Sequence, residues 1–208
     1  MLIYQTEFSL ILFHNIRNMS LRELNHKIAV CGHCQLSTIR KYAVIGQGSS
    51  SSEMMLIGQS PGKEEDETNR LFVGPSGKIF DMLLSNAGIT RYEIYITNLI
   101  KCILPKSRRP SKNEITECSN YLDREIEIVN PRFIVPLGFH STRYILGKYG
   151  LVKPDKNNFH ELFGQIIQLK GLIIYPLRHP TALFFNPSKE ELMKKNYHYL
   201  KVLLKTRN

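Results

Sequence analysis

The chain has 208 residues, 42% of them hydrophobic and 22% charged, a composition typical of one globular domain that can bury its own core. Its 28 lysines and arginines outnumber its 18 aspartates and glutamates, which gives a formal net charge of +10. This excess favours a polyanionic partner, most commonly nucleic acid, although charge alone leaves a basic protein without such a partner as the alternative.

The N-terminal region is not expected to contain a signal peptide or a membrane span. No segment approaches the roughly 20 consecutive apolar residues that span a bilayer. The apolar run Phe8–Phe13 is short and lacks both a preceding basic region and a following cleavage site. We expect residues 1–18 to be an N-terminal extension, with Met19 as an alternative start, and residues 19–208 to form one domain. The protein is expected to be cytoplasmic and monomeric, with no membrane association.

Strand and helix patterns alternate along the chain. Short buried strands are predicted at Ala43–Ile45, Met54–Ile57, Ile94–Thr97, Phe133–Leu137 and Leu172–Tyr175. Helices are predicted at Gly77–Asn86, Asn113–Val129, Phe139–Tyr149 and Lys189–Lys205. Ser111 is a candidate N-cap for the second helix, and Gly88 is a stop signal for the first. This alternation predicts an α/β fold whose mostly parallel sheet is covered by helices on both faces.

The chain contains four cysteines, namely Cys31, Cys34, Cys102 and Cys118. The first two form a C-x2-C pair, a spacing that points two thiolates at one metal site, and a disulfide framework is not expected in a reducing compartment. Four thiolates suit either zinc or an iron–sulfur cluster, and on geometry alone zinc is favoured. The alternative is a set of buried free cysteines without a ligand role.

The turn Gly58–Gly62 follows a predicted strand and allows three interpretations. A phosphate-binding P-loop is excluded, because only three residues separate the glycines and Lys63 is followed by glutamate. The letters also match the nucleophile elbow G-x-S-x-G, but Pro61 has no N–H to donate to an oxyanion, which disfavours an esterase. The third interpretation is a tight turn that approaches a planar ligand at the carboxyl end of a parallel strand.

A histidine and an apolar loop follow the last predicted strand. Taken alone, His179 would most simply be a surface residue, but it too lies beyond the carboxyl end of a strand. The loop after it runs through Leu183, Phe184 and Phe185 between two prolines. A rigid apolar loop of this kind can wedge between DNA bases, and the alternative is that these side chains pack into the core.

Taken together, these motifs resemble the iron–sulfur branch of the uracil-DNA glycosylases, family 4, over residues 20–205. Lys63–Asp66 and Leu71–Gly77 extend the turn into the family's first motif, Thr97–Cys102 resembles its central motif, and His179-Pro180 resembles its last. The cysteine spacing resembles that of the family's 4Fe–4S ligands and so implies this cluster in place of zinc. The implied fold is a three-layer α/β/α sandwich with a sheet of about four to five strands.

The resemblance also implies roles for residues that bind the base. Phe72 would stack on a flipped uracil, and the Asn98 amide would match uracil's donor and acceptor pattern, which is the opposite of cytosine's. Glu65 would crowd out thymine's methyl group. Gln59, Ser60 and Gly62 would bind uracil through the turn.

For catalysis and DNA binding, the resemblance implies a further set of residues. His179 would stabilise the departing uracil anion. The loop with Leu183, Phe184 and Phe185 would fill the gap left in the duplex. A basic group beside Cys102 is predicted to bind phosphates, namely Lys101, Lys106, Arg108 and Arg109.

The sequence departs from the family pattern at two positions. Gln59 stands where the family usually has a carboxylate, and a glutamine cannot act as a general base. Either leaving-group stabilisation carries the reaction, or another carboxylate substitutes, with Asp66 as the nearest. Phe185 stands where the family's last loop often has an arginine.

Two other functions follow from the same residues. Gln59 favours a nucleic-acid-binding relative without catalysis, whereas Asn98, Phe72 and His179 favour an active enzyme on uracil-containing DNA. A glycosylase that crosslinks to its product would need a histidine within Tyr175–Arg178, which contains none. The sequence does not indicate whether the protein contacts a replication clamp.

Overall fold

The computed structural model of the protein describes residues 19–155 and 157–206. The predicted N-terminal extension, residues 1–18, lies outside these described residues. Among the described helices, none is long and apolar enough to cross a membrane.

The centre of the fold is a five-stranded sheet. Its strands are β1 (Met54–Gly58), β2 (Tyr95–Asn98), β3 (Phe133–Pro136), β4 (Ile167–Leu169) and β5 (Leu172–Ile174), in the spatial order β2-β1-β3-β5-β4. Every pairing is parallel except that of β4 with β5, which is an antiparallel hairpin at one edge. The strands β1, β2 and β3 are buried along their whole length, as expected for parallel strands covered on both faces.

Helices cover both faces of the sheet. They are α1 (Leu21–Ala29), α2 (Lys63–Thr68), α3 (Pro75–Asn86), α4 (Lys112–Val129), α5 (Phe139–Lys148), α6 (Ala182–Phe185) and α7 (Glu190–Lys205). Alternate residues of β1 point to opposite faces, so Met54 and Leu56 join one core with residues of α3 and α7. Met55 and Ile57 join a second core with residues of α1, α4 and α5. The predicted three-layer α/β/α architecture is confirmed.

The helix ends follow the predicted capping chemistry. Ser111 caps α4 in a capping box with Glu114, and Gly88 follows the end of α3 with a positive φ of 66°. The prediction missed α1, although Ser20 and Glu23 form a capping box there as well.

One predicted strand is wrong. Ala43–Ile45 forms no regular ladder. Val44 N donates one hydrogen bond to Lys101 O, and Gln47, just beyond the segment, forms an isolated bridge with Ile96. The apolar residues are buried there without being part of the sheet. A short apolar run cannot separate these two cases, because both give the same pattern.

Candidate active site and cysteine cluster

A small cavity lies beyond the carboxyl ends of β1 and β2. It is lined by Ser60, Gly62, Glu65, Phe72, Ser76, Asn98 and His179. The structure therefore brings together six residues that the sequence singled out, from four separate segments of the chain. Ser76 was missed as a site residue, although it lies inside the first motif. This position is the one at which α/β sheets bind ligands.

Asn98, the last residue of β2, presents an open amide to the cavity. The residue is 3% exposed, and among the described residues its side-chain amide has no hydrogen-bond partner. Gly58 lies opposite it in the parallel register. A Cβ at Gly58 would lie 2.2 Å from Asn98 Oδ1, so only glycine leaves room for this amide. An amide that faces a cavity without a protein partner is suited to a ligand that supplies the missing hydrogen bonds.

Phe72 is held in an unusual backbone conformation. Its φ is +51°, a region that bulky side chains rarely occupy, and its ring stacks on that of Phe80 at 4.3 Å between centroids. Arg91 Nη2 donates to Phe72 O at 2.6 Å, and a Cβ on Gly77 would lie 2.0 Å from the same oxygen. The surrounding structure therefore imposes this strained conformation, as is common at functional sites.

His179 lies across the cavity from these groups and is neutral near pH 7. Burial lowers its pKa to about 4. The backbone N–H of Thr181 donates to His179 Nδ1 at 3.3 Å, and the Thr181 hydroxyl lies 2.9 Å from the same nitrogen. Because a backbone N–H can only donate, Nδ1 must be the acceptor and Nε2 carries the proton. The site thus contains a neutral imidazole with one N–H donor.

Glu65 connects two loops of the site by hydrogen bonds. Its carboxylate accepts the backbone N–H groups of Gly62, Val73 and Gly74 at 2.9, 3.0 and 2.9 Å. The Gly62 N–H is therefore already used, and Pro61 has none, so Gln59 and Ser60 are the remaining sources of N–H donors in the turn. Glu65 lines the cavity as predicted, but its hydrogen bonds indicate that it also sets the shape of the cavity.

The two candidates for water activation lie outside this lining. Gln59 directly precedes the lining residue Ser60, and its amide has no hydrogen bond to a described residue. The carboxylate of Asp66 accepts the N–H groups of Lys41 and Tyr42 at 3.0–3.4 Å, on a loop that does not line the cavity. The idea that Asp66 replaces the missing carboxylate is therefore corrected, because its oxygens are committed to this loop.

The apolar loop after His179 divides between core and surface. Leu183 is 8% exposed and belongs to the core, which corrects its predicted role as a wedge. Phe184 and Phe185 are 51% and 88% exposed at the end of α6. Within this loop, these two aromatic side chains are therefore exposed and available to contact DNA.

The predicted phosphate-binding group is corrected in part. Lys101 is buried, with its Nζ 2.5 Å from Glu125 Oε2, 2.6 Å from Thr97 Oγ1 and 2.9 Å from Asn98 O. It therefore cannot contact DNA. Its place between Asn98 and Cys102 makes it a link between the cavity and the cysteines.

The two arginines of this group differ from one another. Arg108 makes a bidentate ion pair with Glu114, and this pair is the main reason that the pKa of Glu114 falls to about 2. Arg109 is exposed, and its guanidinium has no partner among the described residues. Arg109 is therefore the arginine of the pair that remains available for a phosphate.

All four cysteines line a second cavity, between α1, α4 and the loop after β2. Arg40 Nη1 donates to Cys102 Sγ at 3.2 Å, and the Lys101 N–H donates to Cys118 Sγ at 3.1 Å. Burial raises the pKa of Cys118 to about 12, so its thiolate needs a bound cation. Over residues 19–155 and 157–206, no group of three or more histidine, cysteine or carboxylate side chains is arranged around a single metal ion.

Comparisons with known proteins agree with this geometry. The family model described as "Uracil DNA glycosylase superfamily" matches residues 45–205. The chain is 35% identical to a type-4 uracil-DNA glycosylase of Sulfurisphaera tokodaii, over 88% of this chain and 84% of that protein. It is 34% identical to the protein of the same name from Saccharolobus solfataricus, over 87% of this chain and 85% of that protein. It is also 34% identical to that of Thermotoga maritima, over 80% of this chain and 84% of that protein.

The three-layer fold, the cavity at the strand ends and the matching family model therefore define a member of the uracil-DNA glycosylase superfamily. Within that superfamily, the chain belongs to the type-4 uracil-DNA glycosylases. The resemblance drawn from the motifs is confirmed at both levels.

Proposed function

We propose that the protein is a DNA-repair enzyme that flips uracil out of DNA and hydrolyses its N-glycosidic bond, leaving an abasic site. The observation that carries this proposal is the meeting of Asn98, Phe72 and His179 in one cavity. An amide, an aromatic ring and a neutral N–H donor are the groups needed to read, stack and release a uracil base. The enzyme would act in the compartment that holds the genome.

Base recognition rests on the Asn98 amide. Its oxygen would accept from N3–H of uracil and its nitrogen would donate to O4, whereas cytosine offers the opposite pattern. A cytosine would leave buried polar groups unpaired, a mismatch that sites of this kind reject strongly. Phe72 would supply a stacking surface of about 1–3 kcal/mol per base, and Glu65 would exclude the thymine methyl group through the wall it shapes.

Asn98→Ala is expected to abolish most uracil excision, because it removes both hydrogen bonds to the base. Asn98→Asp should also weaken excision and should admit cytosine, since a protonated carboxylic acid presents the reversed donor pattern. The measurement is excision from oligonucleotides with one uracil or one cytosine, followed by alkaline cleavage at abasic sites. Full activity of Asn98→Ala would show that another group reads the base.

Bond cleavage would depend on the departing base. His179 Nε2–H and the N–H groups of Gln59 and Ser60 would donate to the uracil anion as the C–N bond breaks. Water would then add to an oxocarbenium-like sugar without a strong base, in accord with Gln59 at the position of the usual carboxylate. Gln59 is also the residue that favours a binding protein without catalysis, and the uracil excision assay separates the two functions.

We infer that Cys31, Cys34, Cys102 and Cys118 hold a 4Fe–4S cluster. The cavity that they share and the N–H donors to Cys102 and Cys118 fit four thiolates. A zinc ion would need all four sulfurs at about 2.3 Å from one point, whereas each iron of a cluster takes a single cysteine. When bound, the cluster would crosslink the segment after α1, helix α4 and the loop after β2.

Protein purified without oxygen is expected to be brown, to absorb near about 400 nm and to contain about four irons per chain. Cys118→Ser should lower the iron content, because it removes one ligand. Iron and zinc measured by elemental analysis provide the test. One zinc per chain in anaerobic, iron-replete protein would contradict the assignment.

DNA binding would use the exposed groups around the cavity. Arg109 would contact phosphates, and Phe184 and Phe185 would occupy the gap left by the flipped nucleotide. Arg108, with its guanidinium paired to Glu114, would order the loop that carries Arg109.

A further inference from the structure

A cationic cleft lies between α4 and α5, apart from both the uracil cavity and the cysteines. Its volume is about 480 Å³, and it is lined by Lys112, Ile115, Thr116, His140, Arg143, Tyr144, Gly147, Lys148 and Lys153. Four of these nine lining residues are lysine or arginine, and none is aspartate or glutamate. We call this surface the α4–α5 cleft.

Most of the positive charge in this cleft is not neutralised. Lys148 pairs with Asp123 at 3.1 Å, so its charge is balanced. Lys112, Arg143 and Lys153 have no carboxylate partner among the described residues. Three uncompensated cations in one concave surface create a strongly positive potential, which attracts a polyanion.

The fold places two of these cations. A Cβ on Gly147 would lie 2.1 Å from Lys153 Cε, so the absence of a side chain lets the Lys153 stem lie across α5. Arg143 Nη1 donates to Pro154 O at 2.5 Å and so fixes the loop that carries Lys153. These contacts hold the cations at one side of α5.

Helix α5, which forms one wall of the cleft, begins beside the uracil cavity. The N-cap of α5 is Gly138, where a Cβ would lie 3.3 Å from His179 Cβ, and Ser141 Oγ donates to Gly58 O at 2.8 Å. From His140 to Gly147 the helix advances roughly 10 Å. Measured along the duplex axis, where each strand has one phosphate per about 3.4 Å, this length corresponds to about three phosphates.

We propose that the α4–α5 cleft binds backbone phosphates of the DNA next to the flipped uracil, chiefly through Lys112, Arg143 and Lys153. This inference rests on the proposed function and adds a second contact region to the exposed groups around the cavity. Binding there is independent of base sequence, because phosphates carry no sequence information. The cleft thus contributes affinity and register, while the cavity selects the base.

The test compares two double variants in the full chain. Lys112→Gln with Lys153→Gln removes two cations of the cleft, and Lys170→Gln with Lys195→Gln removes two exposed lysines elsewhere. Affinity is measured across salt concentrations for an oligonucleotide with 2′-fluoro-2′-deoxyuridine, which resists excision. The cleft variant should lower the salt slope of log Kd by roughly 0.7–0.9 per lost contact, and the control should leave it nearly unchanged.

Two further measurements separate the outcomes. Single-turnover excision by the cleft variant should be slowed at limiting enzyme and should approach the unmodified rate as the enzyme concentration rises, whereas failure of the proposed function would appear as no excision by the unmodified protein. An equal loss of salt slope in the control, or an unchanged slope in the cleft variant, would overturn the proposal. The proposal would also be overturned if the cleft variant changed only the inhibition of excision by pyrophosphate, because that result would indicate a site for a small anion.

Discussion

In single-turnover assays, His179→Ala is expected to excise uracil about a hundredfold more slowly than the unmodified protein, the usual loss for one oxyanion-type donor. The structure gives the reason, since Thr181 donates to Nδ1 and so directs the only proton of the neutral ring to Nε2. Gln59→Ala should cost less, because a glutamine cannot take a proton from water. Gln59→Glu, which restores the family residue, should raise the rate only modestly.

Saturating enzyme separates the chemical step from DNA binding in this comparison. Thr181→Val serves as a positioning control, because it removes the hydroxyl but keeps the backbone N–H. Its loss should be smaller than that of His179→Ala. A large gain from Gln59→Glu together with little loss from His179→Ala would show that water activation limits the reaction.

The pH dependence provides an independent check on His179. Its pKa is lowered to about 4, so the ring remains neutral as pH falls through the usual histidine range near 6.5. The excision rate should therefore show no histidine ionisation between about pH 5.5 and 8. Protonation below about pH 4 would turn Nδ1 into a donor and break the contact with Thr181 N–H. A rate that depends on an ionisation near 6.5 and is lost with His179→Ala would contradict the neutral form.

Glu125→Ala is expected to lower the free energy of unfolding by about 3–5 kcal/mol, because it leaves Lys101 buried without its counter-ion. Glu125 is fully buried and also accepts from Tyr95 and Thr97 hydroxyls at 3.3 and 2.8 Å. Gly46 is required by the same network, since a Cβ there would lie 2.0 Å from the Tyr95 hydroxyl. The measurement is urea denaturation of the variant and the unmodified protein, both purified without oxygen.

A second variant keeps this prediction testable. Lys101→Met with Glu125→Leu replaces the pair by apolar side chains of similar size, a change that is often neutral for buried pairs. The double variant should recover most of the lost stability. If Glu125→Ala lowers the free energy of unfolding by less than about 1 kcal/mol, the pair behaves as a solvated surface pair and the network does not stabilise the fold as predicted.

The sequence predicted the sheet well where strands are central. Met54–Ile57 and Phe133–Leu137 are buried on both faces and so appear as continuous apolar runs between turns. The edge strand Ile167–Leu169 is partly exposed and was missed, because its pattern resembles that of an irregular segment. Ala43–Ile45 failed for the opposite reason, since burial alone produced a strand-like pattern outside the sheet.

The cavity residues could be predicted from the sequence where they belong to a recognisable motif. Asn98 and His179 follow strand ends, and parallel strands bring such ends together. Burial of charged side chains could not be predicted, so Lys101 was assigned to DNA and Asp66 to water activation. The α4–α5 cleft could not be predicted either, because Lys112 and Lys153 come from distant segments that share no motif.

The most direct test of the central claim is excision by the unmodified protein. Oligonucleotides with one uracil, thymine or cytosine at the same position are incubated with enzyme in excess, and abasic sites are detected by alkaline cleavage. On the proposed roles of these residues, strand breaks are expected at the uracil alone, since Asn98 would match its edge and the wall shaped by Glu65 would exclude the thymine methyl group. Tight binding to all three oligonucleotides with no break at uracil would contradict the assignment and identify a nucleic-acid-binding relative without catalysis.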